Sequence, residues 1–269
     1  MNKPIHVFGC SLAACAELSG TGLTAVAEED VQYMWPNVLA NKLDTQCYNW
    51  SRAGATNRDI AMCAIQAMSE HDGTFIVAWT WPERTNYWKP QLDDLDFNNY
   101  IVTLAMISPE FKKLSKKDHP IKSHPELIDH WKMFAGEREW IFNTLANFQL
   151  VEMTARALGK QCVHILVGAN FHYLNSDNFI HEQTVPHRYH NAEETDKLGS
   201  YLMPMPTIEQ HAMYKVWCDS TVLFREQGLW EHMHTKWEDD NTLDTKLSGT
   251  HWSKEGCADI AEMIYNELN

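Results

Sequence analysis

No run of apolar residues in this chain approaches the roughly 20 needed to cross a bilayer. Its opening, Met1-Asn2-Lys3-Pro4, passes straight into a strand pattern rather than a signal peptide. A soluble, cytoplasmic protein without a secretion signal is the expectation. Positive charge is scarce: 22 Lys and Arg stand against 36 Asp and Glu, a formal charge of −14. That balance repels polynucleotides and anionic lipid surfaces, so neither nucleic acid nor membrane is expected as a partner. Paired cysteines are missing as well. The seven are odd in number, scattered and free of any Cys-x-x-Cys spacing, which argues for reduced, buried thiols. Metal-ligand patterns are absent too. The nearest, His187-x-x-His190 and His232-x-His234, have no Glu or Cys partner at a ligand spacing, and no metal or other cofactor is expected. With no internal repeat, low-complexity tract or linker, one α/β domain over residues 1–269 accounts for the length better than two independent units.

What is present is an alternation of two periodicities. Apolar runs at Ile5-His6-Val7-Phe8, Gln46-Cys47-Tyr48-Asn49, Thr74-Phe75-Ile76-Val77-Ala78-Trp79-Thr80 and Gln161-Cys162-Val163-His164-Ile165-Leu166-Val167-Gly168 read as strands. The unbroken third run suits a parallel strand buried on both faces. Between them, helical spacing appears from Trp35 to Leu43, from Asn57 through Ile60, Ala64 and Met68, from Glu137 to Leu158, from about Thr207 to Gln227, and in the last residues through Ile260 and Ile264. Strands alternating with helices predict a three-layer α/β/α sandwich with a parallel sheet. Two stretches, 81–136 and 169–206, break the alternation and read as insertions, the kind of long connection that often borders a binding site.

In an open parallel sheet, ligands bind beyond the carboxyl ends of the strands. Four residues with usable chemistry fall at such ends. Ser11 follows the first strand on a tight turn, where a following helix N-terminus would offer N–H groups to an oxyanion. Gly54 follows the second, in Asn49-Trp50-Ser51-Arg52-Ala53-Gly54-Ala55-Thr56-Asn57; Thr80 follows the third. His251 lies in a late loop just ahead of the final helix, with Ser253 as that helix's cap. A serine, a histidine and convergent donors are the parts of nucleophilic acyl transfer. Cys10 or Cys15 as the nucleophile is the weaker reading, because a reactive thiolate needs an electropositive niche.

With Gly-x-Ser at the first strand end, Asn49-x-Ser51-x-x-Gly54-x-Thr56 after the second, and Gly249-x-His251-x-Ser253-x-x-Gly256 before the last helix, the chain resembles the SGNH (GDSL-type) hydrolases. The resemblance implies Ser11 as nucleophile, His251 as base, and an oxyanion hole built from Ser11 and Gly54, with Asn49 in a supporting place. Two positions depart from it. The family's third-block Gly-x-Asn is here Ala78-Trp79-Thr80, which leaves the Thr80 hydroxyl, or Asn57, to replace the asparagine donor. The family's Asp three residues before the histidine is here Ser248, which leaves Asp244, Glu83 or a backbone carbonyl of the 247–250 loop to hold the imidazole. Phage-encoded members look similar through Gly9-Cys10-Ser11, Gly54-Ala55-Thr56-Asn57 and Trp79-Thr80…Glu83-Arg84. The resemblance thus implies hydrolysis of an acyl ester, of the O-acetyl type on a carbohydrate if the Trp- and Tyr-rich insertions stack on sugar rings. The substrate partner is then a small-molecule or glycan ester. Homo-oligomer or virion assembly stays open, with the host cytoplasm or the virion as location, and so does a catalytically inactive binding or structural module of a phage particle.

Overall fold

The computed structural model describes residues 3–15, 18, 26–81, 85–87, 100–102, 137–168, 212–225, 228–248 and 251–268. Glu83, Arg84, the histidines at 187 and 190, all of the 169–206 insertion and most of the 81–136 insertion lie outside these residues. In chain order the strands are β1 (Ile5–Phe8), β2 (Cys47–Asn49), β3 (Thr74–Trp79), β4 (Thr85–Tyr87), β5 (Tyr100–Val102), β6 (Gln161–Leu166), β7 (Val222–Leu223), β8 (Leu247–Ser248) and β9 (His251–Trp252). The helices are α1 (Trp35–Lys42), α2 (Asn57–Glu70), α3 (Glu137–Ala157), α4 (Ala212–Cys218), α5 (Leu229–Asp239), α6 (Leu243–Lys246) and α7 (Lys254–Leu268). No described helix is long and apolar enough to cross a membrane.

Five strands form one sheet in the order β2-β1-β3-β6-β7, and every pair is parallel. Counted within the sheet this is 2-1-3-4-5, the flavodoxin-like doubly wound order. The chain steps from β1 to one side and then returns to the other, so the crevice between β1 and β3 is the topological switch point. The α/β class expected from the alternating periodicities is the class observed.

Strand alternation sorts the core into two layers. Val7, Ile76, Ala78, Val163 and Ile165 face the side covered by α1, α5 and α7, through Leu39, Met233, Ile260 and Ile264. Phe8, Phe75, Val77 and Trp79 face the other side, covered by α2, α3 and α4 through Ile60, Ala64, Leu145, Phe148 and Trp217. All of these side chains are buried. The two faces together consume the apolar run of β3, which is why that strand has no polar break.

Two local expectations need correction. The helix expected over 207–227 is broken: α4 stops at Cys218 and Val222–Leu223 forms the fifth strand of the sheet. Arg225 donates to the carbonyls of Trp217, Cys218 and Ser220, closing the helix end, and Phe224 turns the chain with φ 58°. Beyond this turn the chain forms α5, whose Leu229, Met233 and Trp237 bury one stripe at four-residue spacing. Finally, His251 is not at the end of a sheet strand. It sits in a separate antiparallel pair, β8 with β9, in which Ser248 lies opposite His251.

Candidate active site

The first turn after β1 is short. Cys10 O accepts from the N–H groups of Ala13 and Ala14, at 3.1 and 2.9 Å, and the turn ends at Cys15 with φ 49°. The left-handed Cys15 stops the expected helix, so Ser11 opens a turn rather than a helix N-terminus. Neither of those bonds uses the N–H of Ser11 or Leu12. Gly9 has no room for a side chain: an added Cβ would lie 2.6 Å from the Ala13 Cβ and 3.2 Å from that of Ala78. The missing side chain lets the turn fold down against β3.

The second block is pinned to the first. Trp50 N–H donates to Val7 O at 2.8 Å and Arg52 N–H to Gly9 O at 3.1 Å, continuing the ladder past β2. The Asn49 amide donates to Ala13 O at 3.0 Å and its Oδ1 accepts from Ser51 N–H at 3.1 Å, so one side chain ties the Ser11 turn to the second loop. Gly54 follows with φ 78°, a conformation glycine enters without strain. Thr56 then caps α2 reciprocally with Asp59.

The third block ends at Thr80, which is fully buried. Its N–H donates to Asn57 Oδ1 at 2.8 Å, and its carbonyl accepts from Asn57 Nδ2 at 3.0 Å. Asn57 Nδ2 also donates to Thr144 Oγ1 of α3 at 3.1 Å. Both amide protons of Asn57 are therefore committed, and Asn57 has none left for an oxyanion. The Thr80 hydroxyl has no hydrogen-bond partner among the described residues. A buried, unsatisfied hydroxyl costs about 1–3 kcal/mol, which makes this atom conspicuous. The parallel pairing of β1 with β3 runs to Phe8↔Val77, so Thr80 leaves the carboxyl end of the strand next to β1, beside the switch point.

Ser11 and His251 are each 7% exposed. Cys15, four residues past Ser11, meets Cys257 of α7 with sulfurs 3.7 Å apart, which brings the helix behind His251 against the Ser11 turn. Ser253 caps α7, accepting from Gly256 N–H at 3.1 Å. Lys254 pairs with the buried Asp30. Asp244 is exposed on the short α6. Two partly exposed indoles, Trp81 and Trp230, meet edge to face at 6.3 Å, and Trp230 also packs on Trp252 at 4.6 Å, making an aromatic wall beside the His251 hairpin. A pocket of about 280 Å³ flanks the Gly54 turn, lined by Phe8, Trp50, Arg52, Ala55 and Asp59 among others.

Burial and the neighbouring Cys257 thiol push the Cys15 thiol well up, and burial raises Cys47 to about 12. Neither is a ready nucleophile. A second cluster sits below Thr80. Glu152, Cys162 and His164 approach one another closely enough to suggest a cation site. The histidine tautomer speaks against it. Trp79 Nε1–H donates to His164 Nδ1 at 3.0 Å, so the ring proton is on Nε2 and is donated to Glu152 Oε2 at 3.0 Å. A metal on Nε2 would force that proton to Nδ1, against the indole donor. Arg156 completes the chain, Nε to Glu152 Oε1 at 2.7 Å. The network joins β3, β6 and α3, and no local sequence pattern announces it.

No family model matches the sequence, and no curated protein matches it. Among solved structures there is a likeness to the psychrotrophic esterase EstA from Pseudoalteromonas sp., in a structure inhibited by monoethylphosphonate. It covers 99% of this chain and 97% of that one, at 9% identity and a TM-score of 0.45. At those values the likeness carries no argument about activity.

Proposed function

We propose that this protein is a serine ester hydrolase acting on an acyl ester, of the O-acetyl type on a carbohydrate. The observation that carries the reading is the buried Thr80 hydroxyl just past the carboxyl end of β3, next to β1, without a hydrogen-bond partner among the described residues. Ser11 Oγ attacks the ester carbonyl while His251 takes its proton. The N–H groups of Ser11 and Gly54 and the Thr80 hydroxyl hold the oxyanion. The alkoxide leaves as an alcohol with the proton from His251, and water, deprotonated by His251, then releases the acid and restores Ser11. Trp81 and Trp230 offer flat faces of the kind that stack on a sugar ring. Arg84 and Glu83 belong to the same block by sequence resemblance alone.

The expected result is that Ser11→Ala and His251→Ala each lower turnover of an acetyl ester by about 10³-fold or more with the fold intact. Wild-type protein inert toward acetyl and longer acyl esters sinks the enzyme reading. One feature favours the alternative, an SGNH-fold binding or structural module of a phage particle: Ser248 replaces the acid that would fix the imidazole. Loss of that acid from a triad can cost about 10⁴ in turnover. Ser248 pairs with His251 in the β8–β9 register, which makes Ser248→Asp the direct test of the missing acid. A large gain in hydrolysis identifies a site weakened by the missing acid. No change in an active enzyme identifies a substitute partner for His251.

A further inference from the structure

We infer that Asn57 is a positioning residue that aims the Thr80 hydroxyl as an oxyanion donor; this rests on the ester-hydrolase reading. The resemblance behind that reading would make Asn57 a substitute donor, but its hydrogen bonds assign it a different task. Its amide grips the Thr80 peptide from both sides, accepting from the N–H at 2.8 Å and donating to the carbonyl at 3.0 Å. The same Nδ2 donates to Thr144 Oγ1, so the amide is itself held by α3. Asn57 lies in the first turn of α2, where the Thr56–Asp59 capping box fixes the backbone. Every group that sets Thr80 φ and ψ is thereby anchored.

Threonine branches at Cβ and is stiff at χ1, so a fixed backbone leaves its hydroxyl few directions. The usual local outlets for a threonine hydroxyl are nearby backbone carbonyls. Here the Thr80 carbonyl is taken by Asn57, that of Trp79 accepts from Val167 N–H at 2.9 Å, and the hydroxyl keeps its proton without an acceptor among the described residues. Trp79 cannot swing and carry Thr80 with it, because its indole is bonded to His164. A donor that is buried, rigid and without an internal acceptor is preorganised for charge that appears only in the transition state.

The test is a double-mutant cycle on p-nitrophenyl acetate with kcat, KM and thermal stability measured for each variant. Thr80→Val is expected to lower kcat about 10²–10³-fold with KM little changed, and Thr80→Ser to restore most of it. Asn57→Ala is expected to lower kcat in the same way. In the Thr80→Val background it should add less than about 3-fold, because its effect passes through the hydroxyl already removed. Asn57→Asp keeps the acceptor for Thr80 N–H and suits a helix first turn, so it covers the case in which the alanine variant fails to fold; an intermediate kcat is expected. Full multiplication of the two losses, or a folded Asn57 variant with wild-type kcat, overturns the positioning role alone. Wild-type protein without activity overturns the ester-hydrolase reading, and the positioning role falls with it.

Discussion

At the scale of single residues, two strand histidines show how a polar side chain is made to fit a core. Trp50 donates to His6 Nδ1 at 3.2 Å as Trp79 does to His164, and His6 passes its Nε2 proton to Asp72 O at 3.1 Å. Burial holds both rings neutral, below their ordinary value of 6.5. Glu152 is held at about 2 by the His164 N–H and by Arg156. The signs agree. As pH falls below 6.5 the unfolded histidines take protons that the folded ones refuse, and from about 4.5 down to about 2 the same holds for Glu152. Stability measured by urea denaturation should therefore be level between about pH 7 and 8, fall continuously on acidification, and fall again above about pH 9, where unfolded thiols ionise and the buried Cys15 and Cys47 do not. Glu152→Gln should flatten the portion between pH 4.5 and 2. A curve with its maximum near pH 4 contradicts this assignment. None of this pairing could be read from sequence, because His164 meets Glu152 and Trp79 only through packing of α3 on two strands.

At the scale of elements, legibility followed the strength of the local signal. The capped helix α2 was readable from Thr56-Asn57-Arg58-Asp59, since the side chains that satisfy its first N–H groups are adjacent in sequence. Removing that cap by Thr56→Ala should cost about 1 kcal/mol, seen as a lower urea midpoint at unchanged slope. An unchanged midpoint would mean that packing against β3 alone fixes the start of α2. By contrast, β7 has two residues, and no periodicity can be read over two positions. Its place in the sheet depends on α4 ending early, which in turn depends on Arg225 reaching back seven or eight residues to the helix carbonyls. The helix α5 carried a legible stripe, Leu229, Met233, Trp237, that its many charged and histidine neighbours obscured. The hairpin holding His251 is likewise two residues per strand.

At the scale of the whole molecule, the sheet order sets where chemistry can occur. A 2-1-3-4-5 sheet has its crevice between the first and third strands, and the ladder past β2 brings the Gly54 loop to the same edge. Ser11, Gly54 and Thr80 were legible as strand-end residues because a parallel sheet puts all carboxyl ends on one side. What was not legible was the division of labour among them: the Asn57 clamp and the orphaned Thr80 hydroxyl arise from α2, β3 and α3 meeting in space. In the proposed ester hydrolase, Ser11 is the nucleophile and His251 its base. The most direct measurement is reaction of the full chain with a fluorophosphonate probe, followed by peptide mapping of the adduct. One adduct is expected, on Ser11, lost in Ser11→Ala and slowed by orders of magnitude in His251→Ala; no adduct, or an adduct on another residue, contradicts Ser11 as the nucleophile.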